Sequence, residues 1–247
     1  MTARRSLIRM RRQWAEEKPP QEHGVEQAAR LAGRWRRSAW LLVAALVLLG
    51  IGNITARGGF ASRGPLVLPA HPLGPDQGEV LGNASAPVLV EEYGDFQCPA
   101  CARFEREVGP TVRQLAAQGR IRFAFHHDAA IGRESVLAAN AATCAGDAGR
   151  FWPYHDALYA QQAPENSGAL TVERLIALGR QVGVSGPVFA GCVRNGTYRP
   201  WVARVTDQAS QRGVNAIPAL FVNGRPADRA RTPAGLLAVV QEATPRR

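Results

Sequence analysis

Hydrophobic and polar positions follow three different periods along this chain, and the changes between them mark its elements. Positions 39–54 form a nearly unbroken apolar run centred on WLLVAALVLLGIG, the pattern of a helix with no wet face. The aliphatic, β-branched stretch 88–93 (VLVEEY) reads as a buried strand, ended by Gly94-Asp95-Phe96-Gln97. A helical period follows over 99–117 and a second strand over 121–126. Helical spacing then dominates over 134–145, 152–159, 171–182, 187–193 and 200–212, separated by glycines, prolines or Asn166-Ser167-Gly168. Positions 219–222 (ALFV) predict a short strand, Asn223-Gly224 a hairpin turn, and 233–242 a closing helix. The order β-α-β, helical block, β-turn-β-α predicts an α/β domain carrying a helical insertion at about 132–200.

Charge adds topology. The formal net charge of +10 is uneven: residues 1–38 hold 10 Lys+Arg against 4 Glu, and the remainder 20 against 16. The globular part is therefore only mildly basic and shows no interleaving of arginine with aromatic residues, which argues against nucleic-acid binding. The apolar run spans about 24 Å as a helix, short but able to cross a bilayer. Arg30, Arg34, Arg36 and Arg37 crowd its N-terminal flank and Trp35 and Trp40 sit at belt positions, so the chain's start is expected in the cytoplasm and its bulk outside. The expected organisation is a basic cytoplasmic tail (1–38), a transmembrane signal anchor (39–55), a Gly/Pro-rich linker (56–79) and one domain (80–247). A cleaved signal peptide is the rival reading, with passable sites at Ile54-Thr55-Ala56 and Gly59-Phe60-Ala61, although a 38-residue leader is long for an n-region.

All four cysteines, Cys98, Cys101, Cys144 and Cys192, follow the apolar run, which fits an oxidising compartment on its outer side. Cys98-Pro99-Ala100-Cys101 stands between a strand and a helix, so Cys98 is expected at a helix N-terminus, where unpaired N–H groups and the dipole favour a thiolate. Pro99 suits a first helical turn. A zinc half-site would need about two more ligands, and neither Cys144 nor Cys192 has a Cys-x-x-Cys partner, so no metal is expected. A structural bridge across two residues would constrain little of the unfolded chain. Cys98 is the expected nucleophile and Cys101 the resolving thiol. Cys144 and Cys192 fit a stabilising disulfide, two buried free thiols or a second redox pair. His126, His127 and His155 read as structural or solvated, and Asp95 as a turn stabiliser.

From about Val80 to Thr244 the chain resembles the DsbA-like branch of the thioredoxin superfamily. The likeness rests on Tyr93-Gly94-Asp95-Phe96-Gln97-Cys98-Pro99-Ala100-Cys101 and on Asn215-Ala216-Ile217-Pro218-Ala219-Leu220-Phe221-Val222-Asn223-Gly224. The stretch 138–159, with Cys144 and Phe151-Trp152-Pro153-Tyr154-His155-Asp156, is similar to the helical insertion of that group. The resemblance implies a thioredoxin-like fold with a cis Pro218 beside the dithiol, and an Ile217 whose backbone pairs with substrate as an added strand. It places a buried acid at Glu92 that shuttles a proton to or from Cys101; read from the pattern alone, Glu91 and Glu92 are two edge or surface acids pointing to opposite sides.

The expected activity is membrane-anchored, extracytoplasmic thiol-disulfide oxidoreduction, forming disulfides in exported proteins with no metal or organic cofactor. The resemblance implies reoxidation by a quinone-linked membrane protein of the DsbB-like or vitamin K epoxide reductase-like type. The alternatives are a thiol reductase or disulfide isomerase, and a tethered binding or chaperone-like module with a vestigial dithiol.

Overall fold

The computed structural model describes residues 66–245 apart from 72 and 75–77. The expected tail, signal anchor and most of the linker lie outside the described residues. No helix among the described residues is long and apolar enough to cross a membrane.

Five strands form one sheet in the order β1 (Glu79–Leu81), β3 (Ile121–His127), β2 (Val88–Gly94), β4 (Ala219–Val222) and β5 (Arg225–Pro226) among the described residues. β2 and β3 run parallel, with Val88 opposite Ile121 and Gly94 opposite His127, while the other pairs are antiparallel. The parallel pair needs a crossover, supplied by α1 (Pro99–Glu107) and α2 (Gly109–Ala117). The single helix predicted over 99–117 is thus two. Pro110 has no N–H to donate to Arg106 and its ring crowds that carbonyl, so the chain turns at Val108, whose N–H still reaches the Phe104 carbonyl.

Five helices stand between β3 and β4: α3 (Arg133–Gly146), α4 (Phe151–Ala160), α5 (Val172–Gln181), α6 (Pro187–Asn195) and α7 (Arg199–Gln211). The hairpin turn at Asn223-Gly224 has both residues at positive φ, as a two-residue turn requires. A 3₁₀ turn (Asp228–Arg231) and α8 (Pro233–Ala243) close the fold, the latter started by Thr232, whose hydroxyl accepts from Gly235 N–H.

Every residue of β2 is buried. It is the middle strand, and side chains alternate across it: Val88 and Val90 join the main core beneath α1 and the insertion, while Tyr93 packs with Ala209, Val214 and Phe221 on the other face. Both Glu91 and Glu92 are therefore buried, not edge or surface acids. Glu91 is gripped by Arg212, whose two guanidinium nitrogens donate to Oε1 and Oε2 at 2.9 and 3.0 Å. Arg212 also donates to the Tyr93 hydroxyl at 2.7 Å and lies 4.5 Å from the Phe221 ring centroid. Burial alone would raise the Glu91 pKa; His126 and Arg212 outweigh it and hold Glu91 below the usual carboxylate range.

Cys144 on α3 and Cys192 on α6 form a disulfide. Near it, the spacer residue His71 hydrogen-bonds Glu79 at 2.9 Å and Asp147 at 3.0 Å, which ties the segment before β1 to the end of α3. Burial opposes charge on that ring, but the two carboxylates outweigh it and raise the His71 pKa to about 9.

Candidate active site

The strand-turn-helix between β2 and α1 assembles the site from its own backbone. Asp95 is buried and organises the turn: Oδ1 accepts from Gln97 N–H at 2.8 Å and Oδ2 from Ile131 N–H at 3.1 Å. Its backbone carbonyl accepts from Cys98 N–H at 3.0 Å and from the Tyr159 hydroxyl at 3.3 Å. The turn-stabilising role expected of Asp95 is thus visible as two side-chain bonds. Cys98 then takes the N-cap position of α1, with extended backbone, and its carbonyl accepts the first helical hydrogen bond from Ala102 N–H at 3.1 Å. Pro99 occupies the first turn, where its missing N–H costs no helical bond.

The two thiols differ as their positions demand. Cys98 keeps 7% of its surface exposed and Cys101 none, so only Cys98 is open to a partner sulfur. The hydrogen bond from the Cys101 thiol is the strongest influence on Cys98; with the N–H groups of Cys101 and Ala100 it outweighs burial and lowers the Cys98 pKa to about 6. Cys101 moves the opposite way, raised by that same bond and by burial. One thiolate, on Cys98, is therefore favoured near neutral pH.

The structure brings Ile217 and Pro218 to the dithiol. The Ile217–Pro218 peptide is cis, Pro218 is buried, and the Ile217 carbonyl accepts from Cys98 Sγ at 3.7 Å.

Glu92 lies on the α1 side of β2 with no exposed surface, and neither carboxyl oxygen has a hydrogen-bond partner. Burial first, and the negative charge of Glu105 second, raise its pKa well above the carboxylate range. It is a carboxyl that keeps its proton next to the buried thiol. Glu105, His155 and Asp156 lie close enough together to suggest a cation site, but Arg113 already pairs with both carboxylates. The guanidinium supplies there the positive charge that a metal would bring.

His126, His127 and His155 are all buried. His126 stacks on Tyr93 at 4.4 Å between centroids, and His155 hydrogen-bonds Asp156 at 3.0 Å. Burial lowers the His127 pKa to about 3. None of the three histidines hydrogen-bonds Cys98 Sγ or Cys101 Sγ.

Three residues not singled out in the sequence belong to the site. Gln162, just past α4, donates to the Phe96 and Cys98 carbonyls at 2.9 and 3.0 Å. Asn166 N–H donates to Gln97 Oε1 at 2.7 Å, and Gln97 Nε2 reaches Ser135 Oγ at 2.8 Å. These bonds pin the Cys98 turn to the helical insertion across 38 to 69 residues of sequence, and no local pattern announces them.

Comparisons with known proteins agree with this architecture. The family model described as Thioredoxin (Thioredoxin_4) matches residues 76–242. Among curated relatives, a Na(+)/H(+) antiporter, NhaA 1 of Salinispora arenicola, is 36% identical over 62% of this chain, yet the match takes up only 23% of that protein. The probable disulfide bond formation protein D of Bacillus cereus is 29% identical over 58% of this chain and 69% of its own length. Among solved structures, the reduced disulfide bond oxidoreductase DsbG of Mycobacterium tuberculosis superposes with a TM-score of 0.61 at 31% identity, over 69% of this chain and 88% of that one. With a Cys-x-x-Cys at the start of a helix and a cis-proline loop facing it, the chain belongs to the thioredoxin family, in its DsbA-like branch of thiol-disulfide oxidoreductases.

Proposed function

We propose that this protein is a membrane-tethered, extracytoplasmic oxidase that transfers the Cys98–Cys101 disulfide to exported polypeptides. The observation that carries the direction is the place of Cys98 at the N-cap of α1 with its pKa lowered to about 6: a thiolate stabilised only in the reduced form favours that form, so the disulfide becomes more oxidising. The apolar run at 39–54 with its arginine flank supports the tether and its orientation.

In the forward step a substrate thiolate attacks Cys98 Sγ. The Cys98–Cys101 bond breaks, a mixed disulfide forms, and Cys101 leaves as a thiolate. Its high proton affinity draws a proton, and Glu92 holds one in the same buried layer. A second substrate thiolate then attacks the substrate sulfur of the mixed disulfide, and Cys98 leaves as its stable thiolate. Two electrons pass from substrate to enzyme, and the product is a substrate disulfide. During this exchange the backbone at Ile217, whose carbonyl already faces Cys98, pairs with the substrate as an added strand. The reduced enzyme returns its electron pair to a membrane-bound, quinone-linked reoxidant of the DsbB-like or vitamin K epoxide reductase-like type.

Thiol trapping of the full-length protein in intact cells tests the reading. An oxidase rests mostly as the Cys98–Cys101 disulfide, in the membrane fraction, with its domain accessible to externally added protease. A resting dithiol marks a reductase or isomerase, and a soluble or protected domain removes the tether.

A further inference from the structure

One side chain outside the dithiol holds its backbone at two points. Gln162 Nε2 donates to the Phe96 carbonyl at 2.9 Å and to the Cys98 carbonyl at 3.0 Å. An amide nitrogen carries two hydrogens, and both are used here. The Cys98 carbonyl already accepts from Ala102 N–H, so Gln162 takes its second lone pair. The peptide units thus fixed lie on either side of Gln97-Cys98, and the Gln97 side chain is anchored to Ser135 and Asn166. Gln162 itself is half-buried and belongs to the helical insertion, 64 residues from Cys98.

We propose that Gln162 is a positioning residue for Cys98, through which the helical insertion sets how far the dithiol is favoured over the disulfide. Two physical effects act in the same direction. The N–H groups of Ala100 and Cys101 stabilise the sulfur only if the first turn of α1 aims them at it. Pro99 contributes none, so the aim rests on two donors, and the Cys98–Pro99 peptide held by Gln162 sets their orientation. The Phe96 and Cys98 carbonyls are negative dipole ends in the turn that carries the sulfur, and the Gln162 amide hydrogens offset them. Negative charge on sulfur exists only in the reduced state, so this donor stabilises that state selectively.

The proposal rests on the reading of Cys98 as the reacting sulfur, and its test is a difference between variants. Q162M keeps the side chain's length and removes both donors; Q162E keeps its shape and replaces them with a carboxylate. Thiolate absorbance near 240 nm against pH, and the dithiol–disulfide equilibrium constant against glutathione, are read on the reduced full-length protein. In Q162M the Cys98 midpoint rises and the equilibrium moves toward the disulfide by roughly three- to tenfold, the range of one net hydrogen bond; tenfold is about 30 mV. Q162E moves further in the same direction. A merely structural role lowers Tm in either variant and leaves both readouts at the wild-type values, which overturns the proposal. If a charge at this site prevents folding, Q162L replaces Q162E in the comparison, and an unchanged midpoint and constant there again overturn the proposal. Failure of the oxidase reading appears elsewhere, in the wild-type protein's own potential.

Discussion

Cys98 Sγ and the carbonyl oxygen of Ile217 face each other at 3.7 Å across 119 residues of sequence. The contact joins two loops, the turn before α1 and the backbone segment before β4. In the proposed reaction it sets the sulfur that a substrate thiolate attacks beside the main chain that would pair with that substrate.

The first prediction concerns that sulfur. The folded Cys98 value of about 6 lies below the ordinary 9.0, so the stability it lends the reduced protein is present above pH 9 and lost as pH falls through 6. Absorbance near 240 nm of the reduced protein should rise with a midpoint near pH 6, and Cys98→Ser should abolish the step. The stability advantage of reduced over oxidised protein should shrink over the same interval.

Glu92 is raised rather than lowered, and the sign reverses: its favourable contribution is present below the ordinary carboxyl value and lost as pH rises toward the folded one. Glu92→Gln removes the ionisation and should flatten the loss of stability toward alkaline pH that wild type shows. It should also slow the step in which Cys101 exchanges its proton, by roughly 10²-fold. Denaturant melts at pH 6 and 9 and rapid-quench trapping of the mixed disulfide read the two effects.

The buried Glu91–Arg212 pair predicts a large structural effect. Arg212→Ala leaves a 1% exposed carboxylate without its guanidinium, with the His126 ring 3.4 Å away, which should cost about 3–5 kcal/mol. Glu91 is held below the carboxylate range, so the pair's contribution is present at neutral pH and lost under acid. Urea melts of the variant and wild type should converge at low pH.

The Cys144–Cys192 bridge joins positions 48 residues apart, and loop closure of that length is worth about 4 kcal/mol in the unfolded chain. Replacing both cysteines by alanine should lower stability by that order and leave the Cys98 midpoint unchanged, as measured by thermal melting and thiolate titration.

The sequence carried the parts of this fold that are local. The aliphatic runs of β2, β3 and β4 and the proline-started helices were legible because hydrophobic period and turn chemistry act within a few residues. The dithiol's placement followed from the same logic. β1 was not legible: three residues, Glu79–Leu81, become a strand only by pairing with β3. The break at Val108 was written in Gly109-Pro110, yet the helical period across it concealed the turn. Glu91 read as one of two edge or surface acids, because its partner Arg212 lies 121 residues away. Gln162 was invisible for the same reason, since a glutamine after a helix carries no mark of the carbonyls it will reach.

The reduction potential of the Cys98–Cys101 pair, equilibrated against glutathione at pH 7, tests the central claim most directly. A dithiol whose first cysteine is held below the ordinary thiol range should be more oxidising than thioredoxin, above about −270 mV and displaced toward DsbA's value of about −120 mV; a value at or below thioredoxin's would contradict the account.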